Sequence, residues 1–106
     1  MTPSACACRT CEILAETADC PWLSHVRFSD VIRVIVAWDR LTQCVPDGRH
    51  PVDYLDRHTH GLSRRLLDDL RLTRHACAHP HTRPRSQQDL DRALVTAFHA
   101  IAQLRE

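Results

Sequence analysis

Gly61-Leu62-Ser63-Arg64-Arg65-Leu66-Leu67-Asp68-Asp69-Leu70-Arg71-Leu72-Thr73-Arg74-His75-Ala76-Cys77-Ala78-His79-Pro80 decides the fold class of this chain. Leu62, Leu66, Leu70, Thr73 and Cys77 fall on one stripe at three-to-four spacing, with Leu67 widening it, while Arg64, Arg65, Asp68, Asp69 and Arg71 take the opposite side. That is an amphipathic helix. Gly61 marks a bend at its start, and Pro80 ends it, because a residue before proline is pushed out of the α region. The helical pattern begins further back, at Pro51, a residue acceptable in a first helical turn.

On either side the pattern repeats. Downstream, Ser86 and Asp89 form a capping-box spacing, and Leu90, Leu94, Ala97, Ile101 and Leu104 follow on one face that Val95 and Phe98 broaden. Upstream, Ser29 or Asp30 is placed to cap a helix carrying Val31, Val34, Ile35, Trp38, Leu41 and Val45, which stops at the turn Val45-Pro46-Asp47-Gly48. The β-branched run Val31 to Val36 has no partner strand elsewhere, so a strand there would leave its backbone unsatisfied. The expected fold is all-α, a small antiparallel bundle of four to five helices. Burying about a dozen large apolar side chains at roughly 1.5 to 3 kcal/mol each is marginal for so small a core, so dimerisation helps.

With 106 residues the chain makes one compact domain, divided here into a cysteine-rich leader at 1–24 and a bundle at 25–106. In the leader, Arg9 to Asp19 (RTCEILAETAD) is rich in helix formers and predicts one short helix before Pro21. Cys6, Cys8, Cys11 and Cys20 supply four thiols, the number a closed tetrahedral zinc site uses, though without paired CxxC knuckles. The competing reading makes Cys11 and Cys20 small buried hydrophobes. Cys44 and Cys77 lie on apolar stripes and read as core. No basic n-region with an apolar run opens the chain and no 18-residue apolar span occurs, so a cytosolic location without membrane insertion is expected, with reduced thiols.

All 14 basic residues are arginine, and the net charge is only +1. Between Arg57 and Arg85, however, seven Arg and five His face two Asp. Such a stretch either tracks phosphates or is a solvated face in an arginine-rich protein. Within it, Arg74 and His79 pair a permanently charged planar fork suited to phosphate oxygens with a side chain that exchanges protons near neutral pH. Together they suit phosphoryl chemistry without a metal. Positions five apart diverge by about 140° on an ideal helix. A functional pair therefore needs the Pro80 break or a second protomer. His81 is the nearest auxiliary, His58 and His60 read as surface residues near Gly61, and His99 as packed or half-exposed in the last helix. The non-catalytic reading of His79 is a helix C-cap.

The segment from Leu62 to Leu104, with Arg74-His75-x-x-x-His79 at a helix end, a short proline-containing loop and a capped closing helix, resembles the C-terminal half of a higher eukaryotes and prokaryotes nucleotide-binding (HEPN) domain. The family's motif is Arg, a polar residue, a short spacer and His. The resemblance implies an all-α homodimer with the two motifs facing each other across a cleft, and a metal-independent endoribonuclease activity, often that of a toxin or defence effector, which needs no cofactor. It assigns Arg74 to the scissile phosphate, His79 to proton transfer and His75 to orienting the site. Where some toxin members carry a tyrosine two residues after the motif histidine, this chain has His81, and the cysteine leader has no counterpart. Two other classes fit the residues: a non-catalytic helical interaction protein or antitoxin-like partner, zinc-stapled through its leader, and a metal-dependent regulator binding nucleic acid through the arginine patch.

Overall fold

The computed structural model of the chain describes residues 21–81 and 83–105. A 3-10 turn at Pro21–His25 precedes four helices: α1 (Phe28–Gln43), α2 (Pro51–His58), α3 (Arg64–Ala78) and α4 (Gln87–Leu104). No strand occurs among the described residues, as the missing partner for Val31 to Val36 required. α1, α3 and α4 pack pairwise on one another, and the short α2 closes against α3.

The core is built from the predicted stripes. Val31, Val34, Ile35 and Leu41 of α1 meet Leu67, Leu70 and Cys77 of α3 and Leu90 and Ala97 of α4, all inaccessible to solvent. Val52 and Leu55 of α2 extend this core where α2 meets α3. Each large side chain so buried contributes roughly 1.5 to 3 kcal/mol.

Helix boundaries follow the local chemistry. Gly61 adopts φ +76°, a left-handed value that glycine reaches without a Cβ clash, and separates α2 from α3. Ser63 then caps α3, its Oγ accepting the Leu66 N–H at 3.2 Å. The Ser86 box is complete: Oγ accepts the Asp89 N–H at 3.2 Å, and the Ser86 N–H donates to the Asp89 carboxylate at 2.9 Å.

Three expectations are corrected. α1 is capped by neither Ser29 nor Asp30; it begins at Phe28 after Arg27, which has no side-chain cap. Asp30 instead turns inward within the first turn, where a carboxylate suits the helix dipole. There it accepts from Arg27 Nε at 2.9 Å, Arg33 at 3.2 Å and Gln87 Nε2 at 2.8 Å, which ties α1 to α4. Val95 and Phe98 do not broaden the buried face, being 57% exposed each. They sit one residue past the Leu94 and Ala97 stripe, about 100° round the helix, where Phe98 only borders α1 at the open cleft it shares with Ile32 and Val36. Cys44 is not core either: it is the exposed residue that follows α1, its thiol donating to the Arg40 carbonyl. Cys77 is buried, as expected.

Candidate functional site

α3 delivers the Arg/His motif in its last turns. The helix ends at Ala78, and His79 occupies the C-cap with φ −133° and its N–H donating to the His75 carbonyl at 2.8 Å. A histidine here complements the negative end of the helix dipole when protonated. Pro80 follows in the turn, and its carbonyl accepts the Trp22 indole N–H at 3.0 Å, fastening the turn to the segment before α1.

The two motif histidines meet. His75 and His79, four residues apart, place their ring centroids 4.9 Å apart at 48°, and both are exposed. His81 is also exposed, in the turn beyond.

Arg74 takes a different direction. Its guanidinium reaches α1, where Nη2 donates to Asp39 at 3.4 Å, with the Arg74 side chain 22% exposed. Its Nε is buried and has no hydrogen-bond partner. The contact with Asp39 is long for a charge-assisted bond. A guanidinium has five donors, and this one retains capacity for an anion. Within the chain, then, the structure joins His75 to His79 and turns Arg74 toward Asp39, in keeping with the angular separation expected on α3.

A residue that the motif does not include shares this arrangement. Arg85, immediately before the Ser86 cap, is withdrawn to 12% exposure, contacts Asp69 of α3 at 3.6 Å, and also has a buried Nε without a partner. In the sequence it is one arginine among seven in the basic stretch, and only its position before a helix cap sets it apart. Buried donors are satisfied in the great majority of cases, so two orphaned guanidinium nitrogens, one on α3 and one in the loop before α4, are a departure. Thr73 Oγ1, also buried without a partner, is the third such atom.

Cys77 lies on the buried face of α3, within the electrostatic reach of both arginines. Burial pushes its thiol up to about 12, against the opposing pull of Arg85 and then Arg74. The sulfur is therefore protonated at neutral pH and is no nucleophile. Proton transfer and charge stabilisation are what this end of α3 offers.

Cys6, Cys8, Cys11 and Cys20, the candidate metal ligands, and the Arg9 to Asp19 helix lie outside the described residues. Among the described residues no three His, Cys, Asp or Glu side chains gather as a metal site. No described helix is long and apolar enough to cross a membrane.

No family model matches the chain, and no curated protein or solved structure matches it.

Proposed function

We propose that this chain is a metal-independent endoribonuclease of the HEPN type, acting as a homodimer in which Arg74 binds the scissile phosphate and His79 transfers protons. The observation that carries the reading is the composition of one helix end: an under-satisfied guanidinium at Arg74, turned toward Asp39, and an exposed, ring-paired His75 and His79 in the same last turns of α3.

The chemistry balances with these groups alone. The RNA 2'-oxygen attacks the adjacent phosphorus while His79 of one copy takes its proton. The bond from phosphorus to the 5'-oxygen breaks, and that oxygen receives a proton from His79 of the other copy. The products are a 2',3'-cyclic phosphate and a 5'-hydroxyl. Arg74 stabilises the charge on the non-bridging oxygens, a role worth about 10²- to 10³-fold in rate for a well-placed donor. His75 holds the His79 ring, and His81 extends the contact surface for RNA. No cofactor is needed for this step. Zinc at the four leader cysteines would be structural. A cytosolic site of action and a neutralising protein partner, as for a toxin or defence effector, go with this reading.

Incubation of the purified chain with mixed RNA in EDTA tests it. Cleavage that yields a cyclic phosphate, is lost in Arg74→Ala and His79→Ala, and fails on an all-deoxy strand supports the mechanism. Cleavage that persists in both variants, or that stops with the chelator, refutes it. Sedimentation across a concentration series tests the dimer, and metal analysis of an unchelated sample tests the cysteines.

One observation favours a second reading. Ile32, Val36, Phe98 and Ile101 line an apolar cleft between α1 and α4, with Val36 49% and Phe98 57% exposed. Apolar surface of this kind marks interaction sites and suits a non-catalytic or antitoxin-like helical protein. Absence of cleavage, together with a stable protein complex through this cleft, would favour it.

A further inference from the structure

The loop between α1 and α2 and the exposed side of α2 enclose a groove of about 580 Å³, within the size range of small-ligand sites. It lies by the N-terminal end of α3, since Asp53 on its wall pairs with Arg64, the first residue of that helix. Arg74 stands ten residues further along, about 15 Å at the helical rise.

The lining is cationic and aromatic. Arg49 and Arg57 project into it, and neither comes within 4.0 Å of a carboxylate among the described residues, although the charge of Arg57 acts on Asp53. Asp53 is the one acid on the lining, and Arg64 already holds it while His50 stands 4.0 Å from it. Gly48 at φ +82° lets the chain reverse after Pro46, with the Arg49 N–H donating to the Pro46 carbonyl at 3.2 Å, and so brings Arg49 opposite α2. On α2, Tyr54 and His58 stack with centroids 4.1 Å apart at 31°; Tyr54 is half-buried and His58 exposed. The half-buried ring is thereby held in place as a wall of the groove.

We propose that this groove is a binding site for single-stranded RNA, with a nucleobase stacked on the Tyr54 and His58 ring pair and flanking phosphates on Arg49 and Arg57. Arginines without a direct carboxylate contact beside a contacting aromatic pair are the two elements of a sequence-tolerant single-strand site. A duplex keeps its base faces internal, and an acidic peptide has no flat ring to stack, so neither uses Tyr54. The choice of RNA over DNA rests on the nuclease reading above; the binding geometry does not. The separation from Arg74 falls inside the span of single-strand footprints of about 4 to 16 nucleotides, so one strand held in the groove can present its next phosphates toward the far end of α3.

The test uses the full chain carrying Arg74→Ala, so that the probe is not cut, and the anisotropy of a labelled single-stranded RNA of about 12 nucleotides, inside that footprint range. Adding Arg49→Ala with Arg57→Ala is expected to raise Kd about tenfold or more and to flatten the log Kd against log salt slope by about 1.4, the value for two lost phosphate contacts on a single strand. Tyr54→Leu is expected to raise Kd about fivefold or more with the salt slope kept. Arg40→Ala with Arg105→Ala, a change of equal charge on exposed arginines that form no ion pair among the described residues, serves as the control and should stay within about twofold. The inference is overturned if the groove variants lose no more than the control, or if polyglutamate or duplex RNA of matched charge competes as well as the single strand. Circular dichroism of each variant separates misfolding from lost contacts, and the two exposed arginines can be removed without touching the core. Groove-dependent binding in a chain that never cleaves RNA would sink the nuclease reading and leave this site standing. Cleavage at Arg74 with no groove dependence would do the reverse.

Discussion

Asp30 and Arg74 are both polar side chains drawn into the same bundle, and their surroundings could hardly differ more. Asp30, 4% exposed on α1, has its oxygens filled by Arg27, Arg33 and Gln87. Arg74, on α3, has one contact at 3.4 Å and a buried Nε with nothing to bond to. A charge withdrawn from water is costly unless it is hydrogen-bonded. Asp30 meets that condition from within the fold and ties two helices together. Arg74 does not, and under the proposed function a phosphate oxygen would add to its single contact. Hydrogen-bond completeness thus sets Asp30 apart from Arg74, as it does from Arg85 and Thr73, which share the orphaned state.

The contrast can be broken at several points. The largest effect is expected on activity: Arg74→Ala should slow RNA cleavage by about 10²- to 10³-fold, measured on a short labelled RNA. An unchanged rate would make Arg74 a structural residue like Asp30. Next comes Asp30→Ala, which should cost about 1.5 kcal/mol in urea unfolding, the low end for bonds to a charged group, because Arg27 and Arg33 are 68% and 66% exposed and stay solvated.

Asp30 also sets an acid limb. The hydrogen bond from Arg27 holds its carboxyl below the ordinary aspartate value of 3.8, against the opposing effect of burial and with help from Gln87 and from the charges of Arg27 and Arg33. The unfolded chain thus takes up this proton at higher pH than the folded one. The stabilisation is complete above 3.8 and disappears as pH falls through the lower folded value. Comparing wild type with Asp30→Asn between pH 2 and pH 6, the window set by an aspartate titration, should show the two stability curves converging at the acid end.

Ser86→Ala removes the α4 cap next to Gln87 and should cost about 1 kcal/mol, readable as a lower urea midpoint. The smallest change is expected for Arg74→Met, which keeps the apolar stem and deletes the under-satisfied head. Its stability should stay within about 0.5 kcal/mol of wild type while cleavage is lost. A loss as large as that of Asp30→Ala would erase the distinction between the two residues.

Periodicity made much of the fold legible. Leu67, Leu70 and Cys77, or Leu90 and Ala97, are buried where three-to-four spacing puts them, and Ser86 with Asp89 closes the box its spacing predicts. Periodicity is a property of one helix, so it fails where neighbours decide. Phe98 and Val95 are exposed because no further helix among the described residues covers that side of α4, and Asp30 is inside α1 with its carboxylate shared between local Arg27 and Arg33 and the distant Gln87. Of the site, the pairing of His75 with His79 follows from an i, i+4 spacing. The turn of Arg74 to Asp39, the withdrawal of Arg85 and the meeting of Arg49 with Tyr54 depend on packing between segments far apart in the chain. No local pattern encodes them.

The indole bond from Trp22 to the Pro80 carbonyl also equips the molecule with an optical gauge. The chain has two tryptophans. Trp38 is 7% exposed in the core, whereas Trp22 is half-buried with its N–H on the turn that carries His79. Emission from Trp38 reports on the bundle as a whole, and emission from Trp22 on the backbone beside the motif histidine. Displacement of that turn is thus readable in real time from the unlabelled protein.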